Sequence, residues 1–369
     1  MTTKIKVSKK IIIAGGGTGG HIFPAIAIAN ALKQREPDTE FLFVGAKGKM
    51  EMDKVPQAGY DIRGIDIAGF NRSSLIKNIG LPVKIIKSFF QVRKIFKEFR
   101  PDAVIGVGGY STFPVLKYAQ GQGIPTFIHE SNSFAGKANK MLAKHATKVF
   151  TGTDGMEQFF PAGKIIVTGN PVRSQIVNAA ISKKEALVFF GLEEGRTTLL
   201  VVGGSLGAKS VNEAVLAGVN ELLKAGLQLI WQTGKTLSAQ AAHVAEEHKQ
   251  VWANEFITDM EYAYAAADII VARAGAMTVA EICVTKKPAI FVPYPYAAED
   301  HQTVNAQQLV NKKAALIVKD SEAGSKVVKR VIELAADENK RQEISNNLSK
   351  LAITNAAERV ADEILKSIE

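Results

Sequence analysis

Short apolar runs bounded by turn residues alternate with longer stretches of helical period along the whole chain. In the first half the runs fall at 10–14, 41–45, 103–107, 125–129, 147–151 and 164–168; in the second they fall at 197–202, 227–232, 268–272, 288–292 and 314–318. Runs of this length separated by helical stretches predict the strands of parallel sheets with helices as crossovers. The alternation pauses at Asn170-Pro171-Val172-Arg173 and then restarts with Thr197-Thr198-Leu199-Leu200-Val201-Val202. A boundary near 169–175 follows, and with it an α/β chain of two doubly wound domains facing each other across a cleft.

Two helical stretches stand out. Ile22 to Leu32 has an apolar period directly after the first strand, and Ile85, Phe89, Val92, Phe96 and Phe99 repeat at 4-3-4-3 spacing, which predicts a helix over 83–99 packed on a sheet. The loop before it, Leu75 to Pro82, interleaves large apolar groups with lysine and settles into no single period. That composition suits insertion at an anionic membrane interface.

Composition sharpens this picture. With 369 residues, 46% of them hydrophobic, there is enough chain for two cores. The single cysteine, Cys283, excludes an internal disulfide and a cysteine metal cage. An N-terminal apolar leader and an 18-residue apolar run are both missing from the sequence, which places the protein in the cytosol or on a membrane from its cytosolic side. The net charge of +10 is unevenly spread: residues 1–168 hold 24 Lys and Arg against 12 Asp and Glu, the remainder 22 against 24. The basic half is expected to face phosphates of a membrane, an anionic substrate or a nucleic acid.

The chemistry gathers at strand ends. Gly15-Gly16-Gly17-Thr18-Gly19-Gly20-His21 lies between the first strand and its helix, where glycine-rich backbone and helix amides favour a diphosphate. The spacing also fits the dinucleotide fingerprint. The acidic residue that should end the second strand is missing, since Phe41-Leu42-Phe43-Val44-Gly45 runs on into Ala46-Lys47. His21 is either a residue that begins a helix or a base with a pKa near neutrality. Gly106 to Thr112 forms a further glycine turn, read as a second anion pocket, and His129-Glu130-Ser131-Asn132 ends another strand. In the second half Gly203-Gly204-Ser205-Leu206-Gly207-Ala208 repeats the strand, glycine turn and helix order. Phe256 to Met260 ends a strand, and Arg273 to Glu281 and Pro293 to Gln302 follow two others, with Glu281 suited to a ribose diol and Gln302 to sugar hydroxyls. No Asp-x-Asp dyad or His and carboxylate cluster offers a metal site, so neither metal nor cofactor is expected. No nucleic-acid recognition motif is apparent.

Gly16-Gly17-Thr18-Gly19-Gly20-His21, Gly108-Gly109-Tyr110, His129-Glu130-x-Asn132, Gly169 to Arg173, Gly203-Gly204-Ser205-x-Gly207-Ala208, Gln232 to Lys235, Asp259-Met260, Arg273-x-Gly275-Ala276-x-Thr278 and Glu299 to Gln302 occur in this order. Together they resemble glycosyltransferase family 28, the bacterial enzymes that move N-acetylglucosamine (GlcNAc) from UDP-GlcNAc to undecaprenyl-pyrophosphoryl-MurNAc-pentapeptide (lipid I), making lipid II for peptidoglycan. The resemblance implies the GT-B fold of two Rossmann-like domains: 1–170 facing acceptor and membrane, 171–350 binding UDP-GlcNAc, and a final helix in 351–369 returning to the first domain. It implies donor contacts from Thr18, Gly19, Gly20, Asn132, Arg173, Ser205, the main chain of Ile257, Ala276, Met277, Thr278, Val279, Ala280, Glu281 and Gln302. It makes His21 the general base, with Glu130 as a second catalytic residue, and puts Gly108, Gly109 and Tyr110 on the acceptor side. Peripheral attachment to the cytoplasmic face of the cell membrane follows, with cell-wall synthesis machinery as partners and roles in cell shape, division and the cell cycle. Ser131, and the run Glu299-Asp300-His301-Gln302-Thr303, depart from the pattern of some members. The rival readings are a nicotinamide oxidoreductase, which would need the missing acid of the second strand, and another GT-B enzyme or a UDP-GlcNAc epimerase, which would share the donor site but lack the membrane loop.

Overall fold

Ile11-Ile12-Ile13 sends successive side chains to opposite faces of a sheet, and all three are fully buried. A computed structural model describes residues 8–69, 80–204 and 207–368. The first strand, β1 (Lys10–Ala14), is central in a parallel sheet with β2 (Glu40–Ala46), β3 (Ile62–Ile65), β4 (Ala103–Gly106), β5 (Thr126–Glu130), β6 (Lys148–Thr151) and β7 (Ile165–Val167). Their order is β3-β2-β1-β4-β5-β6-β7, with Ile13 in register with Phe43 on one side and Ile105 on the other. Ile12 and Ala14 join one apolar cluster, with Val92, Ile95 and Phe96, while Ile11 and Ile13 join another, with Ile22 and Ile28.

The helices that matter for the site are α1 (Gly19–Arg35), α2 (Glu51–Gln57), α3 (Leu81–Phe99), α4 (Thr112–Gly121) and α5 (Lys137–Ala143). The C-terminal helix Ala356–Ser367 belongs to this same unit, which consists of Met1–Val172 and Asn355–Glu369. Its Val360, Ala361 and Ile364 are buried in the cluster that holds α1, and Arg35 pairs with Asp362 at 2.7 Å.

The second unit, Arg173–Thr354, has its own parallel sheet. It comprises β8 (Thr197–Val202), β9 (Leu227–Gln232), β10 (Val251–Asn254), β11 (Ile269–Ala272), β12 (Ala289–Phe291) and β13 (Leu316–Ile317), in the order β10-β9-β8-β11-β12-β13. Both sheets therefore reverse direction beside their first strand, between β1 and β4 and between β8 and β11. Crevices at such switch points, beyond the carboxyl ends of the strands, are where doubly wound sheets bind ligands. Every glycine turn singled out above leaves one of these four strands or is packed beside it.

Strands β3 and β10 were missing from the pattern of apolar runs. Both are edge strands, covered on fewer sides, and Ile62-Arg63-Gly64-Ile65 and Val251-Trp252-Ala253-Asn254 are correspondingly mixed in polarity. In α3 the expected stripe is buried at Val92 and Phe96 and partly buried at Phe99, with Ile95 added. A second stripe was not anticipated: Val83, Ile86 and Phe90, spaced to share one face, are each at least 60% exposed. Most of the loop read as membrane-facing, from Leu75 to residue 79, lies outside the described residues.

Candidate functional site

The turn after β1 is built by hydrogen bonds that leave a sharply limited set of free groups. Gly15 N–H donates to Val44 O and Gly16 N–H to Gly108 O, each at 3.2 Å, and Gly17 N–H donates to Oε2 of Glu51 at 2.7 Å. The amides of Gly15 to Gly17 are thus spent within the protein. A phosphate is left with the start of α1, where Gly19 and Gly20 have no acceptor inside the helix. Thr18 is exposed and its carbonyl accepts from the amides of His21 and Ile22.

His21 is partly buried, and its Nδ1 lies 3.0 Å from Gly16 O. A carbonyl only accepts, so the neutral ring carries its proton on Nδ1 and keeps the lone pair of Nε2 for another partner. The ring rests on the backbone of Gly108, whose φ is +99° and whose Cβ, had it one, would lie 2.7 Å from Nε2. A Cβ on Gly109 would lie 2.4 Å from Gly16 O. The glycine turn after β4 is therefore no separate anion pocket; it is locked backbone to backbone against the turn after β1, and the two together seat one imidazole. Tyr110, half exposed, lays its ring against Gly69, where a Cβ would meet it at 2.0 Å.

At the end of β5, the buried carboxylate of Glu130 is engaged on both oxygens. Oε1 accepts from the backbone and side-chain nitrogens of Asn132 at 3.1 and 3.3 Å, and Oε2 from Gly136 N at 3.1 Å and Asn139 Nδ2 at 2.9 Å. Glu130 thus holds the loop that carries Asn132 onto α5. His129 is fully buried between Gly169 O and Ser131 Oγ, both at 3.3 Å. Burial first, and the neighbouring His21 charge in addition, push its imidazole down to about 4 against a hydrogen bond to Gly169 that favours the proton.

In the second unit, Gln232 at the end of β9 donates from Nε2 to Gly204 O and accepts Ile257 N–H on Oε1, both at 3.0 Å. This side chain joins the glycine turn after β8 to the segment whose Ile257 main chain was expected to contact the donor, and it occupies the Ile257 amide. Ser205 lies outside the described residues. Glu281, in the second turn of the helix Ala276–Thr285, accepts from Arg173 Nη2 on Oε1 at 3.1 Å and from Tyr264 Oη on Oε2 at 2.8 Å. Desolvation, with the Glu281 charge behind it, holds the Tyr264 phenol well above its ordinary range, so it remains a donor. Gln302 accepts Tyr294 N–H at 3.0 Å, His301 Nδ1 lies 2.7 Å from Ala298 O, and Thr303 bonds to Asp300 at 2.7 Å. Arg273 bridges strand ends: it donates to Val292 O and Pro293 O at 2.9 and 3.1 Å and pairs with Asp320. Among the described residues no group of three or more His, Cys, Asp or Glu is placed to hold a metal ion.

The structure thus brings His21, Gly108 and Gly109 together, and separately Arg173 with Glu281, and Gln232 with Ile257. Glu51, Asn139 and Tyr264 were not anticipated beside these residues, and Gln232, a motif residue in the sequence, had been given no role. The glycine inside β2, Gly45, was the available sign of a close approach there.

Sequence comparison settles the family. Residues 11–151 match the glycosyltransferase family 28 N-terminal domain and residues 198–361 the family 28 C-terminal domain. The chain belongs to glycosyltransferase family 28. A family 28 relative from Phocaeicola vulgatus, named UDP-N-acetylglucosamine--N-acetylmuramyl-(pentapeptide) pyrophosphoryl-undecaprenol N-acetylglucosamine transferase, is 50% identical over 97% of this chain and 96% of its own length. The crystal structure of Acinetobacter baumannii MurG is 31% identical with a TM-score of 0.78, over 97% of this chain and 99% of that one. With that match the two Rossmann-like units are the GT-B fold. The UDP-GlcNAc 2-epimerase of Neisseria meningitidis, 15% identical with a TM-score of 0.67 over 97% of this chain and all of that one, shares the fold alone.

Proposed function

We propose that this chain transfers GlcNAc from UDP-GlcNAc to the MurNAc 4-hydroxyl of lipid I, with inversion at the anomeric carbon, to give lipid II for peptidoglycan synthesis. The observation that carries the mechanism is the hydrogen bond from His21 Nδ1 to Gly16 O, because it leaves Nε2 as an open acceptor at the mouth of the glycine turn. His21 takes the proton of the attacking hydroxyl as the new glycosidic bond forms and UDP departs. Gly108, Gly109 and Tyr110 line the acceptor side of that ring.

UDP-GlcNAc is held through Thr18, Gly19, Gly20 and Asn132 of the first unit. In the second unit the contacts are Arg173, Ser205, Ile257, Ala276 to Glu281, and Gln302. The start of the helix Ala276–Thr285 turns its positive end toward phosphate, and Arg173 adds a full charge where the leaving diphosphate gains one. Glu130 serves by holding Asn132 and its loop onto α5, since its four hydrogen bonds run to Asn132, to Gly136 and to Asn139 of α5.

The enzyme meets its lipid substrate at the cytoplasmic face of the cell membrane as a peripheral protein, among the cell-wall synthesis machinery. No helix among the described residues is long and apolar enough to cross a membrane. The exposed Val83, Ile86 and Phe90 of α3, beside Lys84, Lys87 and Lys94, support surface attachment: apolar groups enter the interface and lysines meet anionic headgroups.

The deciding experiment is transfer of radiolabelled GlcNAc from UDP-GlcNAc to a lipid I analogue in the presence of EDTA. Wild type is expected to form lipid-linked label, and His21→Ala to lose about 100-fold or more in kcat with UDP-GlcNAc affinity retained. Near-normal turnover of His21→Ala removes the base; activity that vanishes with EDTA and returns with magnesium removes the metal-free mechanism; no transfer by a wild type that binds UDP-GlcNAc removes the acceptor.

A further inference from the structure

Glu51 is the most deeply buried carboxylate beside the glycine turn, 1% exposed, and the mechanism above gives it no part. It stands at the start of α2, and its two oxygens face two backbone amides: Oε1 accepts from Ala46 N at 2.9 Å and Oε2 from Gly17 N at 2.7 Å. The Gly17 N–H and the Gly16 C=O are the two ends of one peptide group. The carbonyl end of that same group accepts the His21 Nδ1 proton at 3.0 Å. Carboxylate, peptide and imidazole therefore form one continuous line of hydrogen bonds.

We propose that Glu51 is a positioning residue for His21 and acts through the single peptide unit that joins Gly16 to Gly17. A negative charge at the N–H end of an amide draws its resonance toward the charge-separated form and makes its oxygen a stronger acceptor. That oxygen then fixes the Nδ1–H tautomer and orients the ring. As a proton arrives on Nε2, the polarised carbonyl shares the new positive charge. The logic is that of a carboxylate set behind a histidine base, with one peptide inserted between them.

The local packing is built for this approach. A Cβ on Gly16 would lie 2.3 Å from Glu51 Cδ, and one on Gly45 would lie 2.5 Å from its Cγ, so either side chain would evict the carboxylate. The ionisable groups near the His21 ring include His129, from β5, which burial keeps uncharged through the neutral range, and Glu51, from α2, which reaches the ring through the Gly16–Gly17 peptide.

The proposal rests on His21 as the base, so its test includes a readout other than turnover. In histidine-labelled enzyme, nitrogen NMR reads the tautomer and titration of His21, assigned by the loss of its signals in His21→Ala. Wild type at neutral pH is expected to show the Nδ1–H form; an Nε2–H form overturns the proposal, and this measurement needs no Glu51 variant to fold. In Glu51→Gln the His21 midpoint is expected to fall by about one pH unit, the acid limb of kcat/KM moving with it, whereas Glu51→Asp, which keeps the charge, stays near wild type. A midpoint unmoved in Glu51→Gln overturns the proposal even if turnover falls. If the midpoint moves while His21→Ala still turns over, the coupling between Glu51 and His21 stands and the base assignment fails.

Discussion

A methyl group on Gly108 would lie 2.7 Å from Nε2 of His21, on a backbone whose φ of +99° already disfavours any L side chain. Gly108→Ala is therefore expected to push the imidazole off its seat, lowering kcat about 10-fold or more while leaving the UDP-GlcNAc dissociation constant unchanged; steady-state kinetics with a binding titration checks both. His129 makes a different kind of statement. Its folded-state pKa, about 4 against an ordinary 6.5, means that between those values the unfolded chain binds a proton that the folded chain refuses. Its contribution is complete above about pH 6.5, is lost progressively as the pH falls to about 4, and amounts to something on the order of 3 kcal/mol. Denaturant unfolding across pH 4–7 is expected to show this slope in wild type and a flatter one in His129→Gln. At this scale the sequence revealed His21, whose place beside five glycines is local. It concealed Glu51, which reaches Gly17 from 34 positions away across β2. It also concealed which amides are already taken, because a strand-end motif shows where donors cluster and says nothing of the acceptors that folding brings to them.

Among the elements, the interior strands were plain from their apolar runs because both of their faces are covered. The edge strands β3 and β10 were not, because Arg63-Gly64 interrupts the first and the second is a short Val251-Trp252-Ala253 run ending at Asn254; the other two edge strands, β7 and β13, did show as apolar runs. Helix α3 shows the limit of a single periodicity: its buried stripe was legible, yet Val83, Ile86 and Phe90 form a second apolar line that the sheet does not use. The C-terminal helix Ala356–Ser367 has the opposite character. Val360, Ala361 and Ile364 are fully buried, and Arg359 Nη2 ties the helix to Val167 O at 2.8 Å. Ile364→Ala is expected to cost about 2–4 kcal/mol in denaturant unfolding of the unit that holds α1, since the cavity is enclosed on all sides. The loss should appear in stability, with UDP-GlcNAc affinity little changed under conditions where that unit remains folded.

Over the whole molecule, the basic excess lies within residues 1–168, and the exposed apolar line of α3 lies in the same stretch. Binding to vesicles containing anionic phospholipid is expected to weaken with added salt, and Phe90→Asp to reduce it about 10-fold at low salt; vesicle sedimentation measures both. Charge and apolar surface together were legible from the sequence as a tendency of one half, whereas their meeting on one helix face needed the burial of each residue. The path of the chain carries a further consequence. The unit that begins with β1 is interrupted after Val172 and resumes only at Asn355. On a ribosome, the face of α1 that receives Val360 and Ile364 stays uncovered until the helix Ala356–Ser367 has been made, long after β1. The unit begun first is thus completed only after the second unit, and for the whole interval in which Arg173–Thr354 is being synthesised, a nascent chain exposes an apolar surface that awaits the helix Ala356–Ser367.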